Sequence, residues 1–435
     1  MLNALRRGLA NAPPRWRLTL ILALTAIGTT HCAPMTWNDE SRMATIQSLV
    51  ESQSFVIDRT DFISTGDKVL IGGHFYSDKP PMPSVLGAIV YAPLHLLGLR
   101  LREGNTAAYF LVTLFTVGSA WLLGTLAFFD SLRFTDMEAE RRLLPSIVLS
   151  LGTIYLSWST TFNNHELAAG FLALGFCFML RARHEACAAL HLGLSGFFLS
   201  LAGACDIPTS IFYVLFLVHV SLQTNLRKLA VFYLLPTVLT IVPTLAVNYS
   251  IHHSIMPVQL YRSYFEYPGS PWLGSSELSG METNDLGFIV SYALKTLVGP
   301  KGFLLYNPFL MVALWGLARE IRRKGRFYPE ALCIGIGSSS ILLYYWLTTN
   351  NYGGWSYSIR WFVPLIPLVL FFAYPFFQHF DRRRAAFFQV LLGVSLTIAF
   401  VGAINPWSPI VYSDISFVAN IKQFVEHLRH PKYIR

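Results

Sequence analysis

The chain has 435 residues, of which 53% are hydrophobic, 14% aromatic and 13% charged, and its mean hydropathy is +0.46. Long uncharged runs in that proportion exclude a soluble globular protein and point to a polytopic membrane protein. The net charge of +9 is not a nucleic-acid footprint, because the basic residues fall in short clusters between apolar runs, the pattern that orients helices in a bilayer.

Arg6, Arg7, Arg15 and Arg17 precede the first apolar run, Leu18 to Thr30. No A-x-A-like cleavage site follows, so this run reads as an uncleaved first helix. Further segments of roughly 20 mainly apolar residues begin near Thr106, Leu144, Leu167, Ala188, Ile207, Ala230, Gly302, Ala331, Trp361 and Ala386. The sequence therefore predicts an all-α integral membrane protein with about eleven transmembrane helices. With the N-terminus in the cytoplasm, Arg133/Arg141/Arg142, Arg181/Arg183, Arg227/Lys228, Arg319 to Arg326 and Arg382 to Arg384 all fall on the cytoplasmic side. The apolar stretch Ser84 to Leu99 is left out of that count. It is short and carries Pro93, so it reads as a helix in the outer interface or one that dips in and returns. Residues 1–405 form one transmembrane core with outward loops at 33–105 and 250–300, and 406–435 form a short outward tail. Cys32, Cys177, Cys187, Cys205 and Cys333 have no metal-type spacing and read mostly as small buried apolar residues.

The first loop carries most of the candidate chemistry. Within 33–83, Asp39, Glu40, Glu51, Asp58, Asp61, Asp67 and Asp78 outnumber Arg42, Arg59, Lys68 and Lys79. WNDESR, Trp37 to Arg42, places Asp39 and Glu40 a few residues beyond the first span. The sequel has apolar residues at Met43, Ile46 and Leu49/Val50, one face of a surface helix that would hold Asp39 at the interface. The loop closes on GGHFYSDKPPMPS, where two prolines after Asp78 and Lys79 deny the chain regular pairing and present the pair on a rigid turn.

Together, a first transmembrane helix, NDE, the helix RMATIQSLVES and then FYSDKPP resemble the C-type glycosyltransferases, in the branch of protein O-mannosyltransferases and the aminoarabinose transferase that modifies lipid A. The likeness covers about the first 130 residues. It implies a C-type glycosyltransferase fold with outward juxtamembrane helices, a polyprenyl-phosphate sugar as donor, and catalysis on the outer face of the cytoplasmic membrane. Two departures stand out. The Glu usual before the lysine is Asp78 here, and the second outer turn carries Asn163-Asn164-His165-Glu166 in place of its frequent acid.

The residues fit that chemistry on their own terms. Glycosyl transfer passes through an oxocarbenium-like state and needs a carboxylate to take the acceptor's proton, a role given to Asp39 with Glu40 beside it. A lipid-phosphate leaving group needs cations instead of a general acid, and Lys79, Arg59 and Arg42 in the loop supply them. NNYGGWSYSIRW, residues 350–361, adds Arg360, an outward arginine that breaks the charge rule. Its Trp355 and Tyr357 suit sugar stacking and an aromatic belt equally. Lys301 begins a helix on the same side. Asp78, Tyr76 and His165 complete the expected substrate contacts. No cofactor is assigned. A divalent metal is compatible with Asp78, His165 or the His252/His253 pair, although vicinal histidines diverge on regular structure. The acceptor is a lipid, a glycan or a protein.

Two other functions fit a multi-span chain. A lipid-sugar transporter or flippase would carry ionisable residues inside its spans, where this chain has only His191 and His219 clearly placed. An O-antigen polymerase or ligase would carry its large outer loop late, whereas the acidic loop here comes first.

Overall fold

In the computed structural model the described residues are 12–102, 106–223, 227–275, 278, 284–378, 382–408 and 415–429. Arg6 and Arg7 and residues 409–414 and 430–435 lie outside them. The chain opens with helix α1, Pro14–Thr29, which has proline at its first position, where a missing N–H costs nothing. Helix α2, Trp37–Glu51, begins in a capping box: Asp39 accepts from the Thr36 amide while the Thr36 side chain meets the Asp39 backbone. A hairpin follows, β1 Lys68–Ile71 against β2 His74–Ser77, antiparallel with Ile71 opposite His74. Its two-residue turn uses Gly72 and Gly73, at φ +59° and +85°, the left-handed conformation that a tight hairpin demands. Pro80 and Pro81 then start helix α3, Pro81–Leu96.

The body of the molecule is helical: α4 Thr106–Thr135, α5 Ala139–Leu151, α6 Ile154–Ser159, α7 Asn164–His184, α8 Ala188–Cys205, α9 Ile207–Leu222 and α10 Ala230–His252. Then come α11 Leu286–Val298, α12 Phe309–Arg323, α13 Tyr328–Thr348, α14 Leu365–Phe371, α15 Arg382–Ile404 and α16 Ser416–Arg429. Small residues let the helices close up. A Cβ on Gly170 of α7 would lie 2.4 Å from the Ala120 carbonyl oxygen of α4, so the two backbones touch, as in packed transmembrane helices.

Among the described residues seven helices are long and apolar enough to cross a membrane; six match the eleven expected, and the seventh, Leu286–Tyr306, which contains α11, was not expected. The difference has local causes. α1 has only 16 residues, the segment from Leu144 is broken at Gly152 between α5 and α6, α9 falls among the shorter apolar helices, the segment from Gly302 is interrupted at Asn307-Pro308, and that from Trp361 is divided between α14 and a short helix at Tyr374–Gln378.

Two ends can be told apart. At one, an arginine belt ties the helices together: Arg15 to Asp130 (3.3 Å), Arg181 to Asp130 (3.4 Å), Arg183 to Glu330 (2.6 Å) and Arg326 to Asp136 (3.0 Å), with Arg17 on Glu140 and Arg133 on Glu185. At the other end, the His31 amide donates to the Thr160 carbonyl at 2.9 Å, and the Tyr109 hydroxyl near the start of α4 reaches Asp39 at 3.2 Å. α1 therefore ends and α4 begins at the same end. α3 runs beside α2 there: Gly87 packs on Ile46 and the Tyr91 hydroxyl donates to Glu51 at 2.6 Å.

The region 250–300, expected to be a loop, contains α11. Its approach residue Asn284 donates to the carbonyls of Trp346 and Thr349, and Lys301 beyond it donates to Gly354 at 2.9 Å. Both ends of α11 thus meet one segment, and the helix lies along the end of the bundle.

Candidate active site at the end opposite the arginine belt

Asp39 is fully buried at the third position of α2, a place fixed by the capping box. Its carboxylate accepts from the amides of Met35 (2.9 Å) and Thr36 (2.8 Å), from the Thr36 hydroxyl (3.0 Å), and from the hydroxyls of Tyr109 (3.2 Å) and Thr161 (3.1 Å). Burial raises its pKa above the ordinary 3.8, and the two amides act against that rise. Glu40 is half-buried on the same turn, its amide donating to the Thr36 carbonyl at 3.1 Å.

One turn along the same helix, Arg42 is 1% exposed. Its guanidinium donates to the Asn38 carbonyl at 2.7 Å and to the side-chain oxygens of Asn38 and Asn164, while its Nε has no partner. Burial, and after it the neighbouring Arg360, lower Arg42 to about 10. Lys79 is brought beside it by the hairpin and the prolines, and pairs with Asp67 at 2.7 Å and Asp78 at 2.8 Å. Burial raises the Asp78 pKa, against the pull of Lys79, and its Oδ1 is buried without a hydrogen-bond partner.

From the far side, Arg360 lies over the Trp407 ring, 4.9 Å from its centroid, within electrostatic range of Asp67, Asp78 and Asp206. Neither it nor Lys301, which is 4% exposed, makes an ion pair among the described residues. His165, on the first turn of α7, pairs through Nδ1 with Asp206 at 2.8 Å. Trp407 closes the arrangement by donating to the Thr161 hydroxyl at 3.1 Å, one step from Asp39.

Four separate stretches of the chain thus bring Asp39, Arg42, Asp78, Lys79, His165 and Arg360 to one end of the bundle. Tyr76 is half-buried on β2 and lines a small cleft with Lys79, Thr45, Ser84 and Asn248. Two expected contacts lie elsewhere. Arg59 is exposed on the turn after Asp58 and enters no ion pair among the described residues. Tyr357 is fully buried, its hydroxyl donating to the Ile398 carbonyl at 2.7 Å and its ring edge-on to Tyr306, so it cannot stack on a sugar. Trp355 is 53% exposed on the same loop.

For a metal, the described residues offer no group of three or more His, Cys, Asp or Glu side chains. His165 and Asp206 bind each other, Asp78 faces Lys79, and His252 is held by the Met256 carbonyl at 2.9 Å. The described residues thus give a divalent cation no three-residue protein cage to enter. The sequence reading missed Asp206, Asn164, Asp67, Tyr109 and Trp407. Asp67 and Asn164 stand in the first loop and the second outer turn without a role of their own, and Asp206 is an acid between two apolar runs.

No protein-family model matches the chain, and no curated protein matches it by sequence. Solved structures do. A crystal structure of ArnT from Cupriavidus metallidurans in the apo state is 17% identical and aligns with 86% of this chain and 61% of its own, with a TM-score of 0.55. ArnT from the same organism bound to undecaprenyl phosphate is 14% identical over 90% of this chain and 69% of its own, at 0.55. AglB, the oligosaccharyltransferase from Archaeoglobus fulgidus, in complex with an inhibitory peptide and a dolichol-phosphate, is 12% identical over 89% of this chain and 55% of its own, again at 0.55. The chain therefore has the C-type glycosyltransferase fold and is a mostly helical integral membrane protein. It spans about six-tenths of the length of the first of these structures.

Proposed function

We propose that the chain transfers a sugar from a polyprenyl-phosphate donor to an acceptor on the outer face of the cytoplasmic membrane. The observation that carries this reading is the gathering of Arg42, Lys79, Arg360 and Lys301 around three carboxylates, at the end of the bundle away from the arginine belt. The likeness to structures that hold undecaprenyl phosphate and dolichol-phosphate supports a lipid phosphate as the leaving group.

In this reading Arg360 and Lys301, which have no carboxylate ion pair, and Arg42 hold the phosphate as charge builds on its departing oxygen. Lys79 joins them, and Asp67 and Asp78 keep it in place. Asp39 takes the proton of the acceptor's hydroxyl. Its two amide bonds, 2.8 and 2.9 Å, fix the carboxylate, while the longer bonds from Tyr109 and Thr161 are hydroxyl bonds that an incoming hydroxyl replaces. A second reading rests on Asp78 Oδ1, a buried carboxylate oxygen with no hydrogen-bond partner among the described residues, and makes Asp78 the base.

Asp39→Asn keeps the bond from the Thr36 amide and removes the basicity, but its NH2 group cannot accept from the Met35 amide, so the melting midpoint is read beside transfer. Transfer is lost in Asp39→Asn and retained in Asp78→Asn if Asp39 is the base. The reverse pattern assigns the role to Asp78, and full activity in both variants contradicts the reading.

A further inference from the structure

Two helices at the site end carry apolar stripes that the described residues leave exposed. On α16, Val418, Ile421 and Val425 recur at i, i+3 and i+7 and are each more than a third exposed, while Lys422 and Glu426 project from the adjoining side. The opposite edge is fixed to the protein: the Asn420 side-chain amide donates to the carbonyls of Val401 (3.2 Å) and Asn405 (2.7 Å). On α11, Leu286, Val290 and Leu294 recur at every fourth residue and are each at least half exposed, and the buried side rests on α13, whose Trp346 indole donates to the Thr296 hydroxyl, and on the loop after it, where the Tyr292 hydroxyl donates to the Asn351 carbonyl.

We propose that α11 and α16 lie in the membrane interface, with these stripes in the lipid and the charged edge of α16 in water. The division of α16 into protein, apolar and charged sides is what an interfacial helix requires. The lipid is chosen over another protein by continuity. α16 is anchored at the end of α15, a candidate span whose Phe400 and Ile404 are 41% and 46% exposed on the surface that meets the bilayer.

The placement has a consequence for the site. α11 leads within three residues to Lys301, whose Nζ donates to the Gly354 carbonyl, and the first residues of α16 meet Ser356 through the Ser416 hydroxyl and Tyr306 through the Phe417 amide. Both helices thus hold the segment that ends in Arg360, so the level of the lipid surface sets the level of that guanidinium. The location in lipid stands whether or not the transfer reaction does.

Nitroxide labels test it in the full chain in lipid nanodiscs, on a Cys32→Ser, Cys187→Ser background that removes the exposed thiols. Labels at Val290→Cys, Ile421→Cys and Val425→Cys should favour collisions with oxygen over a water-soluble nickel chelate several-fold, and labels at Lys422→Cys and Glu426→Cys should show the opposite preference. The proposal is overturned if the first three are as open to nickel as the last two, which would place the helices in water. It is equally overturned if they are closed to both reagents, which would mean that protein covers them.

Discussion

Asp39 and Arg42 show how much a single residue can be asked to do. Asp39 caps a helix, and its burial with five donors serves the fold as well as any chemistry. Its raised pKa makes the two roles separable by pH. Between the ordinary carboxyl range and the raised value, the folded chain holds a proton that the unfolded chain has released, so the Asp39 contribution to stability falls as pH rises through that window. Transfer needs the ionised form and should rise through the same window, above the usual carboxyl range, as a pH–rate profile will record. The cations separate from the base in binding. Arg360→Ala or Lys79→Ala should weaken polyprenyl-phosphate binding by about 2–5 kcal/mol, the scale for a desolvated pair that loses one partner. Asp39→Asn should bind the lipid nearly as the parent does and not turn it over. Unchanged affinity in both alanine variants would rule out the clamp. These residues were legible because Asp39, Arg42, Asp78 and Lys79 lie in one loop with cap and proline signals around them. Asp206, Asn164 and Trp407 come from separate segments, and each looks by itself like an ordinary residue at the end of a helix.

At the scale of the element, the first loop reads almost directly from its sequence. Thr36 with Asp39 starts a helix, Gly72-Gly73 turns a hairpin, and Pro80-Pro81 starts the next helix. The Gly353–Arg360 loop was harder to read, because an aromatic beside two glycines has the same sequence whether its ring faces a ligand or the core. Tyr357 faces the core, so Tyr357→Phe should cost about 1 kcal/mol of stability through the lost bond to Ile398 and leave lipid binding unchanged. A loss of binding in that variant would return Tyr357 to the site. The contact of α4 with α7 is stricter: Gly170→Ala puts a methyl group 2.4 Å from the Ala120 carbonyl and should cost about 1–3 kcal/mol, seen as a lower midpoint of thermal unfolding in detergent. An unchanged midpoint would show that the two helices can separate without penalty.

For the whole molecule, the charge pattern was the best guide. The clusters around Arg133, Arg181 and Arg326 meet acids from other helices at one end, and the residues proposed for transfer collect at the other. Hydropathy alone could not find the course of α11, which with its continuation to Tyr306 is apolar enough to span, or the breaks at Gly152 and Asn307-Pro308, since local chain direction is set by tertiary packing that composition does not carry. Reporter fusions after Arg102, Asp136 and Asn420 should read outside, inside and outside, and an inside signal after Arg102 would mean that α3 crosses. The most direct test of transfer from a lipid phosphate is mass spectrometry of envelope lipids and glycans from cells that carry the parent chain, Asp39→Asn, or neither. The account predicts that one glycan or lipid loses a sugar in the last two, with the sugar-charged polyprenyl phosphate accumulating. An unchanged glycan profile, with only the sidedness of the lipid-linked sugar altered, would contradict it and make the protein a carrier of that lipid.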